Sequence, residues 1–272
     1  MLLWCVVGFL ALDLLIVGAF FIPPVQNFAV DTVTKMVSDT WGCELAIGEM
    51  YLTPTFHVHF RNSVLRDHHD NDMIRIGYVS TDLKRLKVSP VQLYFPYFEV
   101  DDAEVVVRLY KEEDDVNISV WAKKLASKNK KPAAGPFVMH IDRLRMTNSE
   151  FRYENDNVRQ SQHPTDMDYG YFVLADLDFD CLDFQVVGGD AADISAKIDR
   201  LAFNQYTGFR LVNASGDFRI NDKNLIFNDC HLVTPQSRLF FDLAFHYHDW
   251  SYKDFVDSVR ISANLRPSVL DL

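Results

Sequence analysis

Apolar and polar residues alternate along short stretches through most of the chain after Gly42. In DISAKID, for example, Ile194, Ala196 and Ile198 are separated by Ser195 and Lys197. Successive side chains of a β-strand point to opposite sides, so this period predicts half-buried antiparallel strands with one apolar and one polar face. The same pattern appears in TFHVHF (55–60), LAFHY (243–247) and VRISANL (259–265).

Clusters of turn-forming residues separate these stretches. Asn, Asp, Ser, Gly and Pro favour turns because their side chains or backbones stabilise tight chain reversals. We therefore expect a series of strands connected by short turns. The predicted turns are DHHDND (67–72), NDNVRQSQHP (155–164), VGGD (187–190), NDKN (221–224) and HDWSYKD (248–254).

The first 22 residues are almost entirely apolar, and their single charged side chain is Asp13. About 20 apolar residues in a helix cross the hydrocarbon core of a bilayer. A cleaved signal peptide is the alternative, but its apolar region is usually shorter. We expect residues 1–22 to form an uncleaved transmembrane anchor. Residues 23–42 have apolar positions at helical spacing, which predicts a short amphipathic helix.

Composition excludes some classes of function. The formal net charge is −11, which argues against a nucleic-acid partner because binding to phosphates requires a basic surface. The four cysteines have no paired spacing, so they predict neither a zinc site nor a disulfide framework. We expect buried thiols, with a single bridge among Cys43, Cys181 and Cys230 as the alternative.

ADLDFDCLDF (175–184) places Asp176, Asp178, Asp180 and Asp183 close together in the sequence. A calcium-binding loop that began at Asp176 would need Gly at position 181 and Glu at position 187. Those positions hold cysteine and valine. The acids alternate with Leu177, Phe179 and Cys181, so we expect them on the solvent face of a strand rather than around a metal ion.

The DHHDND segment also offers possible metal ligands. Adjacent histidines on a turn are expected to point apart, and no second ligand cluster has a defined spacing, so a solvated turn is the prediction. Motifs for nucleophilic catalysis and phosphate binding do not occur in the sequence. We therefore expect a protein that is not an enzyme and has no cofactor.

Internal features divide the chain. The string IDRL occurs at 141–144 and again at 198–201, in each case where a strand is expected to begin, which suggests stacked hairpin units. The predicted organisation is a transmembrane anchor (1–22), an amphipathic helix (23–42), a first β-rich segment (43–127), a Lys/Pro-rich linker (128–136) and a second β-rich segment (137–272).

IPPVQNF, directly after the predicted anchor, resembles the start of Bacteroidetes-type TamB proteins, which are relatives of the AsmA family. The chain departs from the family's pattern in two ways: it lacks the basic cytoplasmic stub, and it ends at LRPSVLDL, where members of the family continue. We therefore expect an N-terminal fragment. Further similar segments, in the family's order, are VSDTWGCELAIGEMYL, DHHDNDMIRIGYVSTDL, NISVWAKKL, IDRLRMTNSEFRY, GFRLVNASGDFRI and LVTPQSRLFFDLAFHY.

The resemblance implies an inner-membrane-anchored periplasmic protein with an elongated antiparallel β-sheet that curls into an open hydrophobic groove. It further implies transport of phospholipids between inner and outer membranes, and support of outer-membrane protein assembly with a barrel-type assembly protein as partner. The side chains expected to line the groove are Leu177, Phe179, Phe218, Ile220, Phe227, Leu243 and Phe245.

The alternation by itself leaves three possibilities open. The apolar face of the sheet could carry lipid, or the sheet could serve as a scaffold whose edges pair with client strands or with the outer-membrane partner. A closed structural domain with a filled core is the third possibility.

Overall fold

The computed structural model describes residues 45–53, 57–82, 84–88, 91–121, 136, 138–158, 168–188, 193–247 and 259–271. The predicted anchor and amphipathic helix lie outside the described residues, as does the predicted linker except for Pro136.

The described residues form thirteen strands and one helical turn at 117–121. In chain order the strands are β1 (Leu45–Leu52), β2 (His57–Arg66), β3 (Asp72–Asp82), β4 (Arg85–Val88), β5 (Val91–Phe95), β6 (Phe98–Leu109), β7 (Val138–Asn155), β8 (Tyr171–Val187), β9 (Asp193–Gln205), β10 (Arg210–Asn221), β11 (Asn224–Val233), β12 (Arg238–His246) and β13 (Arg260–Leu265). The predicted mainly β fold is therefore confirmed for this part of the chain.

All thirteen strands belong to one sheet. Eleven of them follow the order β1-β2-β3-β6-β7-β8-β9-β10-β11-β12-β13, and β4 joins through β5, which pairs with β7. Neighbours are antiparallel except β6 and β5, which both run parallel to β7. Strand β7 is long enough to hold them end to end: β5 pairs with its first residues and β6 with the remainder. The pairing of β6 with β7 joins the two predicted β-rich segments in one sheet.

The sheet is open. Within the described residues, β1 pairs only with β2, and β13 pairs only with β12. All six residues of β13 are exposed. A closed barrel would instead have a pairing between the first and last strands.

Local chemistry explains the short turns. Between β10 and β11, the side-chain Oδ1 of Asn221 accepts hydrogen bonds from the backbone N–H groups of Lys223 (3.0 Å) and Asn224 (2.9 Å). Such a side chain imitates a backbone turn and reverses the chain within two residues. The prediction of a turn at NDKN is confirmed.

The two IDRL strings lie inside strands rather than at their starts. The first lies in β7, which begins at Val138, and the second lies in β9, which begins at Asp193. These two strands flank β8 on either side. Each string lies in the first strand of an antiparallel pair, β7–β8 or β9–β10, and these two pairs are neighbours in the sheet.

Few apolar side chains are fully buried. Cys181 is 0% exposed and Cys230 is 8% exposed, and both are free thiols, as expected for these two positions. Cys5 and Cys43 lie outside the described residues. Most strand positions are half-buried, as expected for a sheet against which no second layer packs within the described residues.

Candidate functional site

One row of apolar side chains crosses ten strands of the sheet. Residues that lie opposite each other on neighbouring strands place their side chains on the same face. Each member of this row is the register partner of the next. We call it the middle row: Met50, Phe60, Val79, Val100, Met146, Phe179, Leu201, Ala214, Leu232 and Leu239.

Two further rows run beside it on the same face. Strand β12 has no register shift between Leu239 and Phe241 in its pairing with β11, or between Phe241 and Phe245 in its pairing with β13. Leu239 of the middle row therefore shares its face with Leu243 and Phe245. Leu243 continues a row through Phe227, Phe218 and Ala196. Phe245 continues a row through Leu225, Ile220, Ile194, Val186, Met139 and Leu93.

The seven predicted groove residues lie on this face. Phe179 belongs to the middle row, and Leu177 shares its face by alternation, but Leu177 is 9% exposed and lies opposite the polar Ser149. Leu177 therefore adds little accessible apolar surface. The other five belong to the two flanking rows: Phe218, Ile220, Phe227, Leu243 and Phe245.

The apolar face is only partly covered. Among the predicted residues, every one except Leu177 is half-buried. The rings of Phe218 and Phe227 contact each other across β10 and β11, with their centroids 5.5 Å apart. Within the described ranges, neither a second sheet nor a helix longer than the turn at 117–121 is present to cover this face. It therefore presents apolar surface that other molecules can contact.

The opposite face carries ion pairs. Arg143 donates two hydrogen bonds to Asp180, from Nε to Oδ1 (3.0 Å) and from Nη2 to Oδ2 (2.6 Å), and Arg145 lies 3.4 Å from the same carboxylate. Arg200 lies 3.5 Å from Asp178. Hydrogen bonds from Arg143 lower the pKa of Asp180. Arg143 and Arg200 are the arginines of the two IDRL strings, so these strings help to neutralise the acids of β8.

The expectation of a solvent-facing acidic strand is therefore only partly right. Asp180 is 9% exposed because the two arginines cover it. Asp176 and Asp183 have left-handed backbone conformations, with φ of 50° and 51°, and register shifts occur beside both. They mark β-bulges, at which an extra residue bends a strand and increases its twist.

A similar irregularity crosses the first strands. Asn62 and Asp102 have φ of 54° and 58°, and the register places both of them beside Gly77 of the intervening strand β3. A Cβ atom at Gly77 would lie 2.6 Å from Oδ2 of Asp102, so only glycine fits there. Asn and Asp adopt left-handed conformations more readily than other L-residues. Sequence reasoning missed these positions because an Asx residue inside a strand is also an ordinary polar residue.

The two histidines of the DHHDND turn do not point apart. Nε2 of His68 lies 2.9 Å from Oε2 of Glu113, and Nε2 of His69 lies 2.7 Å from Oε1 of the same residue. The expectation that these adjacent rings diverge is wrong. Glu113 lies in the segment that follows β6, and no local sequence pattern connects it with the turn.

No protein-family model and no curated protein matches this sequence. Within the described residues, no helix is both long and apolar enough to cross a membrane. The anchor predicted over residues 1–22 lies outside them.

Proposed function

We propose that the apolar face of this sheet binds phospholipid acyl chains and guides them along the rows, from strand to strand. In this proposal the protein is of the TamB/AsmA type. It is anchored in the inner membrane by residues 1–22, and its sheet extends into the periplasm, where it serves lipid transport towards the outer membrane. The anchor and the location rest on the sequence and on the family resemblance.

The middle row is the observation that supports this function most strongly. Strands in a sheet lie about 4.8 Å apart, so a row across ten strands is about 40 Å long. Removing an acyl chain from a bilayer costs about 0.8 kcal/mol per CH₂ group. A two-chain lipid therefore faces a cost on the order of 20 kcal/mol in water. A continuous apolar row offsets this cost at every step along the sheet.

The polar face is consistent with the same function. Its arginines and carboxylates are paired, as for Arg143 with Asp180 and Arg75 with Glu104. A paired, charged surface stays hydrated and does not compete with the apolar face for lipid. The bulges at Asp176 and Asp183 bend strands locally, and we infer that they curl the sheet so that the apolar face lines a groove.

A second candidate function is a scaffold for protein assembly. Strand β13 is an edge strand within the described residues, and Ile261 and Leu265 on it are 57% and 68% exposed. Exposed edges pair with strands of other proteins through main-chain hydrogen bonds. Support of outer-membrane protein assembly with a barrel-type partner would use this edge rather than the apolar rows.

The test is photo-crosslinking in cells with the full chain. A photoreactive amino acid replaces Phe179 or Phe227 on the apolar face. Matched controls replace the adjacent residues Asp178 and Asn228, which the register places on the opposite face. A fifth probe replaces Ser262 on the β13 edge. Adducts are identified by mass spectrometry.

Lipid transport predicts phospholipid adducts at 179 and 227 and none at 178 and 228. Crosslinks at 179 and 227 that join only residues of the same chain would overturn this proposal and favour a closed core. Adducts to a β-barrel protein at 262, with no lipid at 179 or 227, would favour the scaffold.

A further inference from the structure

Three metal-ligating side chains converge beyond the ends of strands β2, β3 and β6. His68 and His69 lie in the turn between β2 and β3, and Glu113 lies just after β6. One ligand atom from each of the three lies within 4.8 Å of the others. The two imidazole rings are adjacent, with their centroids 4.4 Å apart. Both Nε2 atoms are thus directed at a single carboxylate, although 44 residues separate His69 from Glu113.

A buried network holds the turn in this arrangement. Asp67 is 6% exposed and accepts hydrogen bonds from the hydroxyl of Tyr110 (2.5 Å) and from Nδ2 of Asn117 (3.2 Å). The same carboxylate accepts hydrogen bonds from the backbone N–H groups of His69 and Asn71. It therefore fixes the backbone that carries the histidines. Sites whose supporting residues are already ordered bind metal without a large ordering cost.

The ring of Tyr110 supports the imidazoles directly. Its centroid lies 4.0 Å from that of His69 and 5.5 Å from that of His68. Nδ1 of His68 is buried and has no hydrogen-bond partner within the described part of the chain. The polar contact of that ring is therefore made through Nε2, the atom that faces Glu113.

The ligand set has the chemistry of a zinc site. Two imidazole nitrogens and one carboxylate oxygen bind Zn²⁺ at about 2.0–2.2 Å and leave a fourth position for water or another ligand. The Glu113 carboxylate already faces both Nε2 atoms, with Oε2 2.9 Å from His68 and Oε1 2.7 Å from His69. The sequence around it, KEEDD at 111–115, is acidic and raises the local concentration of cations.

We propose that His68, His69 and Glu113 bind one divalent transition-metal ion of the Zn²⁺ type. The ion takes the place of the direct contacts between the two Nε2 atoms and the carboxylate. It ties the β2–β3 turn to the segment after β6, beyond the ends of these strands. The His69 side chain is 44% exposed, so the ion is accessible from solvent and its fourth position is open.

The test is metal binding by the full chain, purified in detergent without a polyhistidine tag and stripped with EDTA. Titration with Zn²⁺ in a calorimeter is expected to give one tight site per chain. Co²⁺ at the same site is expected to give the visible absorption of tetrahedral coordination. Zn²⁺ at a hundredfold excess over the dissociation constant is expected to raise the unfolding temperature by roughly 5–10 °C.

Three variants decide the assignment. His69→Asn and Glu113→Gln are each expected to weaken Zn²⁺ binding at least tenfold and to abolish the Co²⁺ absorption. His140→Asn is the matched control, because His140 also faces a carboxylate, that of Asp142 at 2.9 Å, but lies on β7 away from the cluster. It is expected to bind like the parent.

Circular dichroism spectra verify that each variant keeps its strands. If Glu113→Gln does not fold, His69→Asn alone decides the test, since this side chain is partly exposed. Zn²⁺ binding that survives in His69→Asn, or that falls equally in His140→Asn, would overturn the site. So would the absence of any site of defined stoichiometry in the parent chain.

Discussion

Phe218 on β10 lies directly opposite Phe227 on β11, and both rings are only half-buried although they contact each other. A phenylalanine pair of this kind would normally lie inside a core. Here the pair lies on a face that no second layer covers within the described residues. The loss in free energy of unfolding when either ring is removed therefore indicates whether this face is open.

Replacing either ring with alanine is expected to lower the free energy of unfolding by about 1–2 kcal/mol, less than the roughly 3–5 kcal/mol for a fully buried Phe. A double-mutant cycle between Phe218→Ala and Phe227→Ala is expected to give a coupling energy of about 0.5–1 kcal/mol. Urea unfolding followed by circular dichroism measures both quantities. Single costs above about 3 kcal/mol would indicate that the rings are covered and that the sheet encloses a core.

The apolar face was predictable from the sequence because alternation is a local property. Ile194, Ala196 and Ile198 share a face whichever strands lie beside them. Pairing between distant segments was not predictable in this way. The parallel contact of β6 with β7 and the approach of Glu113 to His68 depend on how the whole sheet is ordered.

The bulges form an intermediate case. Asp183 reads as a polar residue in a strand, and only the count of residues on the neighbouring strands shows that it is an extra one. Asp180 was also not predictable, because its acidic side chain predicted a solvent-exposed position. Its arginine partners come from β7, which lies beside β8 only after folding.

Asp180 is expected to make stability depend on pH. Its folded-state pKa lies below the ordinary value of 3.8, chiefly because Arg143 donates hydrogen bonds to the carboxylate. The ion pair therefore stabilises the fold fully above that ordinary value, and its contribution is lost as the pH falls through the lowered pKa. Asp180→Asn is expected to lower the free energy of unfolding by about 2 kcal/mol at pH 7.

The measurement is urea unfolding of parent and variant between pH 7 and pH 2. The difference between the two is expected to be constant at neutral pH and to shrink below the ordinary carboxylate pKa. Asp178→Asn is the control, because its contact with Arg200 at 3.5 Å is long and exposed, and it is expected to change stability little. A parent–variant difference that grows in acid would contradict this role for Asp180.

Asp183 is expected to tolerate glycine but not a β-branched residue. Its φ of 51° lies in the left-handed region, which costs most L-residues about 1–2 kcal/mol. Asp183→Val is therefore expected to lower the free energy of unfolding by about that amount, whereas Asp183→Gly is expected to change it little. Gln185→Val, at an exposed position on the same strand, controls for β-propensity and for added apolar surface. Equal costs for the two valine variants would argue against a bulge at Asp183.

The middle row makes a prediction about the path of lipid. Phe179 lies between Met146 and Leu201 in that row, and an ionised carboxylate among apolar groups is strongly unfavourable. Phe179→Asp is therefore expected to interrupt the row at β8. Photoreactive probes at Phe60 on β2 and at Leu239 on β12, both members of the middle row, lie on opposite sides of the interruption.

If lipid enters from the anchored end and moves along the row, Phe179→Asp should retain phospholipid adducts at 60 and lose most of those at 239. Phe179→Leu keeps the position apolar and should retain adducts at both probes, and Asp178→Asn, on the opposite face, should do the same. Loss at both positions in Phe179→Asp would indicate general unfolding, which circular dichroism detects independently. Adducts retained at both positions in a folded Phe179→Asp variant would show that lipid does not travel along this row, and the conduit would have to be abandoned.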